Sequence, residues 1–290
     1  MASCYGSISQ PLGAAGEGLQ YLPVRTTLPD GTPVEIDYFR ESEHAAGHRL
    51  LNGVIEEGLS WPFEETLDMD AFRAYFLSHA AFVVRTVVTR PTTKLYSSSE
   101  APPSSTFSMK ARSVASSLAP APAPAPAPAT ATATVTPTAA AAVTDSSGDI
   151  STTCSAQVGG EEEEEDEEEA RVWGVFYIKP NFPGRCSHVC NGGFITDPRR
   201  RRRGVARLMG HAFLRLAKDL GYRASYFNLV FRSNESSLRL WRGLGFTELA
   251  VVPRAGRLKG IDGLVDAIQF HYDLDTLRPD DLPEDLRGAV

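Results

Sequence analysis

Apolar and polar positions change period several times along this chain. Over residues 22–28 and 34–39 the pattern is strand-like, and Pro29-Asp30-Gly31-Thr32 between them has the composition of a turn. Residues 43–57 switch to the helical period: Leu50, Leu51, Val54 and Ile55 form one stripe, and Gly58 closes the helix. The next stretch, Leu59-Ser60-Trp61-Pro62-Phe63, is a loop with two large aromatics. A short helix is expected over 70–78 and a β-branched strand over 81–88. From residue 171 alternation returns, with Val172, Gly174, Phe176 and Ile178 on one side and Trp173, Val175 and Tyr177 on the other. The turn Asn181-Phe182-Pro183-Gly184 leads into a strand over 187–196. A helix beginning near Gly204 places Val205, Met209, Ala212, Leu216 and Leu220 on one face, and Gly221 stops it. Residues 224–231 are a continuous apolar run of strand length, which reads as a buried strand. A second helix runs from an Asn234 cap to Gly245, and strands follow over 246–252 and 264–274.

That succession is an α+β order, predicting a mixed central sheet of about seven strands flanked by helices. One stretch stands outside it. Residues 91–160 are dominated by Ser, Thr, Ala and Pro, with Ala-Pro alternation over 119–128, and 161–169 are nine consecutive carboxylates. Few large apolar groups are on offer, so burial does not offset the entropy of ordering, and alternating Pro blocks helix. Residues 91–169 are therefore expected to be a disordered insertion in a hairpin connection, whose closure entropy grows only logarithmically with length. Residues 21–90 and 170–275 are then the two parts of one domain. Residues 1–20 are read as a mobile tail and 276–290 as a peripheral one.

The acidic run also governs the net charge. The formal charge is -7, and without the run the lysines and arginines exceed the acids by 2. A near-neutral folded part argues against a general nucleic-acid footprint, although 199–203 are all Arg. Four cysteines in 290 residues make no disulfide framework, which points to a reducing compartment. No apolar signal core or span-length segment is present, so no membrane partner is expected. The expectation is a soluble, cytoplasmic protein, with nucleus and mitochondrion left open.

The chemistry concentrates between residues 190 and 246. A strand ending at Asp197-Pro198, an Arg/Gly turn and a helix N-terminus together make a physical anion site. The turn reads Arg201-x-x-Gly204-x-Ala206, and downstream stands Asn234-x-x-Ser237-x-x-x-Trp241-x-x-x-Gly245-Phe246. Both resemble the acetyl-CoA motifs of the GNAT acyltransferases, and both fall on the elements that family requires. The strings Phe176-Tyr177-Ile178-Lys179-Pro180-Asn181-Phe182-Pro183-Gly184-Arg185, Ser187-His188-Val189-Cys190-Asn191, Phe227-Asn228-Leu229-Val230 and Ala255-Gly256-Arg257 narrow it further. They resemble the fungal L-azetidine-2-carboxylate acetyltransferases, over about residues 20–90 and 170–275.

The resemblance implies a GNAT fold, acetyl-CoA as co-substrate, a small imino or amino acid such as a proline analogue as acceptor, and a homodimer. It implies that Arg201, Arg202, Arg203, Gly204, Val205 and Ala206 receive the CoA pyrophosphate. Phe194 and Ile195, on the strand entering the turn, would face pantetheine and the acetyl carbonyl, with Gly192-Gly193 as a bulge exposing donors. Asn234 would cap its helix and touch the cofactor, and Trp241 would line the thiol channel. Two departures from the family pattern stand out: Arg202 where Gly is common, and an indole at Trp241 where a Tyr often serves as general acid.

Asn191 and Asn228 each interrupt an apolar strand, and the resemblance brings both amides onto the acceptor as catalytic and substrate-binding groups. The alternative is that they form a structural amide pair. Trp61 and Phe63 suggest a covered, small acceptor pocket. Cys186-x-His188-x-Cys190 offers three ligands from one strand and no fourth, so no metal is expected. No carboxylate presents itself as the base. Other readings remain open: acetylation of another small amine or a peptide N-terminus, or a non-catalytic acyl-CoA-binding scaffold.

Overall fold

The computed structural model describes residues 19–87 and 171–287, which form one compact unit. The expectations for the N-terminal tail and for the insertion over 91–169 fall almost wholly outside the described residues. In chain order the elements are β1 (Val24–Thr27), β2 (Pro33–Tyr38), α1 (His44–Glu57), α2 (Met69–Phe76), β3 (Ala80–Thr86) and β4 (Val172–Pro180). There follow β5 (Val189–Thr196), α3 (Val205–Asp219), β6 (Ala224–Phe231), α4 (Glu235–Gly243), β7 (Thr247–Gly256) and β8 (Val265–Asp273). The strands form one eight-stranded sheet in the order β1-β2-β3-β4-β5-β6-β8-β7. The expected mixed sheet is present, and its eight strands correspond to the eight strand segments read from the pattern. Every pairing is antiparallel except β5 with β6. Strands β3 and β4 are neighbours, with Arg85 opposite Val172, so the two sequence segments meet in the middle of the sheet.

Helices α1 and α2 cover one face. The stripe Leu50, Leu51, Val54 and Ile55 is buried there with Phe72 and Phe76 against Val83, Val175, Tyr177 and Ile195. Gly58 ends α1 in the left-handed conformation, φ 66°, where a side chain is disfavoured. Helices α3 and α4 cover the other face, where Val205, Met209, Ala212, Leu216, Leu238 and Trp241 pack on Phe176, Ile178, Phe227 and Phe270. With helices on both sides, β4 is buried almost throughout rather than on one face. The entry of α1 is fixed by a buried ion cluster: the Arg85 side chain, 1% exposed, meets Glu43 at 3.0 Å and Asp37 at 3.1 Å.

Four expectations are corrected. Residues 224–231 are half-buried, and Leu229 is 43% exposed, because β6 leaves β5 after its second residue and one face is not covered. The strand expected from 187 begins at Val189, because Gly184–Cys186 winds into a 3-10 turn. Cys186 is consequently exposed on that turn while Cys190 is buried in the sheet, so the Cys-His-Cys spacing does not share one strand face. The C-terminal segment over 276–287 is no peripheral tail: Leu277, Leu282 and Leu286 are buried in the α3-side core, and Arg215 and Lys218 of α3 donate to the Leu286 and Leu277 carbonyls at 3.0 and 2.8 Å.

Candidate functional site

The site is organised by the parting of β5 and β6. They pair only at Val189↔Ala224 and Cys190↔Ser225. Beyond that point the β5 edge carrying Gly193, Phe194 and Ile195 has no ladder to β6, and a wedge opens between the two strands. Toward β4 the ladder is regular from Gly174↔Thr196 to Pro180↔Cys190. The bulge expected at Gly192-Gly193 is absent; these glycines serve close packing instead. A Cβ at Gly193 would stand 2.7 Å from the Trp61 ring and 2.5 Å from that of Tyr177, and one at Gly192 2.7 Å from Phe213. On the α3 and α4 side the wedge is lined by aromatics: Trp241 lies 4.8 Å from Phe194 and 4.7 Å from Phe227, centroid to centroid.

β5 runs into the arginine turn and α3. Gly204 is the N-cap, at φ 93°, with no side-chain cap, so the first N–H groups of the helix (Val205, Ala206 and Arg207) point out unsatisfied by a capping side chain. Two constraints select glycine here, since a Cβ would also lie 2.8 Å from Pro29. Arg202 adopts φ 67°, the left-handed geometry its departure from glycine foreshadowed. The neighbouring arginines are occupied within the protein. Arg201 donates to Glu57 at 2.9 Å, Arg203 to Asp30 at 3.3 Å, and Arg200 lies over the Trp173 ring at 4.7 Å. Burial opposes ionisation of Asp197, but hydrogen bonds from Arg199 outweigh it and hold that carboxyl below its usual range. These contacts lash the turn to the end of α1 and to the β1–β2 turn, leaving the backbone N–H groups at the start of α3 and the exposed Arg202 side chain as the donors the turn offers outward.

On the α1 and α2 face the wedge meets a second cluster. Trp61 packs over Gly193, and Phe63 sits edge-on to Tyr75 at 4.9 Å. The Tyr75 and Tyr177 hydroxyls are 3.1 Å apart. Burial raises the pKa of both phenols, so they remain protonated near neutral pH. The Lys179 ammonium lies 4.0 Å above the Tyr75 ring and 4.3 Å above that of Tyr177, and burial lowers its pKa to about 8. In the β4–β5 register Tyr177 is opposite Gly193 and Lys179 opposite Asn191, so all four positions share this face.

Asn191 and Asn228 fall on the same face by strand alternation, yet they do not pair with one another. The partner of Asn228 is Asn181: the two amides exchange hydrogen bonds of 3.0 and 2.7 Å. The amide pair expected between Asn191 and Asn228 is therefore absent, and Asn228 is paired instead with a residue the sequence did not single out. That pairing is not exhaustive, since an amide has two N–H groups and two lone pairs, and one of each stays free on Asn228. Asn191 Oδ1 accepts from the Gly192 N–H at 2.8 Å, which leaves both of its N–H groups available. Asn234 caps α4, accepting from the Ser237 N–H at 3.1 Å. His188 is exposed outside the strand, beside Asp275. Lys179, Tyr75 and Tyr177 are the residues that sequence reasoning missed; the signal available was a lone lysine closing an otherwise apolar run.

Among known proteins, residues 158–246 match the model of the Acetyltransferase (GNAT) family. Two curated relatives align over this region. N-acetyltransferase aca1 of Schizosaccharomyces pombe is 50% identical over 104 residues, 36% of this chain and 50% of that protein. Protein SPT10 of Saccharomyces cerevisiae is 34% identical over 102 residues, 35% of this chain and 16% of that protein. The chain thus spans half or less of the length of these relatives. Among solved structures, a GCN5-related N-acetyltransferase from Kribbella flavida superposes with a TM-score of 0.52 at 16% identity, covering 83% of this chain and 97% of that one. The structure of yncA from Salmonella typhimurium, a putative acetyltransferase with its cofactor acetyl-CoA, superposes with a TM-score of 0.51 at 13% identity, covering 84% of this chain and 95% of that one. The fold is the GNAT fold.

Proposed function

We propose that the protein is an acetyl-CoA-dependent N-acetyltransferase whose acceptor is a small imino or amino acid of the proline-analogue class. The observation that carries this reading is the convergence at Gly193 of two unlike half-sites. One side offers an unpaired β5 edge leading to an uncapped helix N-terminus, which suits a long ligand with an amide arm and a pyrophosphate. The other is a compact aromatic cluster with amide and ammonium donors, which suits a small polar acceptor.

When bound, acetyl-CoA supplies an activated acyl group. The chain's own part is mostly orientation. The Val205 and Ala206 N–H groups would hold the pyrophosphate, with Arg202 on the rim. Backbone at Phe194 and Ile195 would fix the amide arm as a missing strand partner, and an N–H on this edge would receive the acetyl carbonyl. Trp241 and Phe194 would exclude water from the thioester side. Asn191 and Asn228 would hold the acceptor, and Trp61 and Phe63 would cover it. Transfer would be direct in a ternary complex: the acceptor nitrogen, having given its proton to solvent, would form the amide bond to the acetyl carbon while the thioester C–S bond breaks and CoA leaves as the thiolate, which takes up a proton from solvent.

The deciding experiment measures acetyl-CoA binding by calorimetry and CoA release with azetidine-2-carboxylate, 4-hydroxyproline, proline, a polyamine and a short peptide. The expected result is binding, with turnover confined to the imino acids. Binding without turnover on any acceptor would leave a scaffold; turnover of the peptide alone would replace the small-acceptor reading.

A further inference from the structure

Among the described residues Lys179 is the cation that faces the acceptor side of the wedge, and its surroundings are unusual for a lysine. Among the described residues it makes no ion pair, although the deeply buried Arg85 is met by Glu35, Asp37 and Glu43. Its ammonium rests instead on the faces of two tyrosines whose hydroxyls are tied to each other, so the cup beneath it is rigid. Ring faces meet part of a cation's demand and donate nothing to its hydrogens; three N–H donors look for acceptors. Around it Asn191, directly opposite in register, keeps both of its N–H groups free, and Asn228 keeps one N–H beside one free lone pair. A half-buried ammonium and two amides presenting donors on one sheet face describe a seat for an anion with two oxygens.

Resting on the acetyltransferase reading above, we infer that Lys179 anchors the acceptor's carboxylate and so makes the site selective for amino and imino acids over plain amines. The placement fits the molecule. Asn191 and Gly193 are two residues apart on β5, about 6.6 Å. A carboxylate accepting a charge-assisted hydrogen bond of about 2.8 Å at the Lys179–Asn191 level puts the nitrogen, one carbon further on, beside Gly193. That is where the acyl group would arrive along the β5 edge. The depressed pKa of Lys179 agrees with a cation awaiting its counter-charge, and an arriving carboxylate raises it again.

The test uses the full chain and two variants, Lys179→Met, which keeps the stem, and Lys179→Arg, which keeps the charge. Each is assayed with proline-type acids and with their carboxamides, and acetyl-CoA affinity is followed by calorimetry. Cyclopentanecarboxylate, which has the carboxylate and no nitrogen, serves as a binding probe in the presence of CoA. In Lys179→Met the KM for the acid should rise at least about tenfold with kcat within about threefold, while constants for the carboxamide and the acetyl-CoA Kd hold within about twofold. The Arg variant should recover most of the loss, and the probe should bind wild type and not the Met variant. Equal losses on acid and carboxamide, or a loss in kcat alone, would overturn the anchor in favour of a role at the nitrogen; unchanged kinetics would overturn it outright. If wild type turns over neither acceptor the acetyltransferase reading fails, and probe binding lost on Lys179→Met would still mark the carboxylate seat.

Discussion

Replacing Gly193 by Ala tests whether the two half-sites really meet through that residue. The added methyl would lie 2.5 Å from Tyr177 Cε1 and 2.7 Å from the Trp61 ring, both well inside van der Waals contact. Tyr177 sits on a central strand, 4% exposed, with its hydroxyl tied to Tyr75, and yields little. Trp61 belongs to a loop, so the indole is the group that moves, opening the cover over the acceptor. Overpacking of this kind costs about 1–3 kcal/mol, and a value near 2 lowers Tm by about 4–8 °C for a domain of this size. Thermal unfolding followed by tryptophan fluorescence measures that loss. Steady-state kinetics should show acceptor kcat/KM down about tenfold, worth about 1.4 kcal/mol. Acetyl-CoA affinity should hold within about twofold. Combining the change with Trp61→Ala should give a stability loss smaller than the sum of the singles by at least about 0.5 kcal/mol, since the clash partner is gone. A Gly193→Ala protein within about 0.5 kcal/mol of wild type, or strictly additive with Trp61→Ala, refutes the contact.

Asn228→Asp replaces the 2.7 Å donation to Asn181 by two facing oxygens and places a carboxylate where the acceptor's own would sit, so turnover should fall at least about tenfold; Asn191→Ala should do the same, and normal turnover in either removes that amide from the site. Gly204→Ala forces a side chain into φ 93° against Pro29 and should lose about 1–3 kcal/mol and weaken acetyl-CoA at least about fivefold, whereas Arg202→Gly should gain up to about 1 kcal/mol in urea unfolding; the opposite signs would sink the turn argument. Lys179 has a pKa of about 8 folded against 10.5 for an ordinary lysine, so between those values the unfolded chain binds more protons and stability rises with pH. Lys179→Met should therefore raise Tm by about 2–4 °C at pH 7 and flatten the rise between pH 8 and 10.5; an unchanged slope would show the ammonium is well solvated.

The features legible in the sequence are those set by local periodicity. The α1 stripe, the α3 face, the Gly204 turn and the Asn234 cap each follow from residues within one or two turns of each other. The cluster proposed to hold the acceptor draws on the α1–α2 loop, α2, β4 and the β4–β5 turn, and alternation along β4 assigns faces without saying what each face meets. Lys179 therefore looks like the polar end of a strand until Tyr75, about a hundred residues earlier in the chain, is laid beneath it. Asn228 was conspicuous, but its partner Asn181 lies in a turn where an amide attracts no notice. The burial of β6 is not legible for a related reason: an apolar run records what could be covered, and the wedge decides what is.

The wedge also has a mechanical meaning. Strands β1 to β5 with α1 and α2 stand on one side of it and β6 to β8 on the other; in the sheet two residue pairs join them, the Lys259 N–H of the β7–β8 loop donates to the Gly58 carbonyl at 2.9 Å, and an aromatic seam of Phe194, Phe213, Phe227 and Trp241 spans the join. Hydrogen-bond ladders resist shear because every bond has a fixed partner, whereas ring contacts re-form after a small slide. A small slide of one side on the other would therefore be taken up along the seam, between the Cys190–Ser225 pairing and the Gly58–Lys259 bond. Spectroscopically it is a motion that the Trp241 indole, seated on the seam, would report.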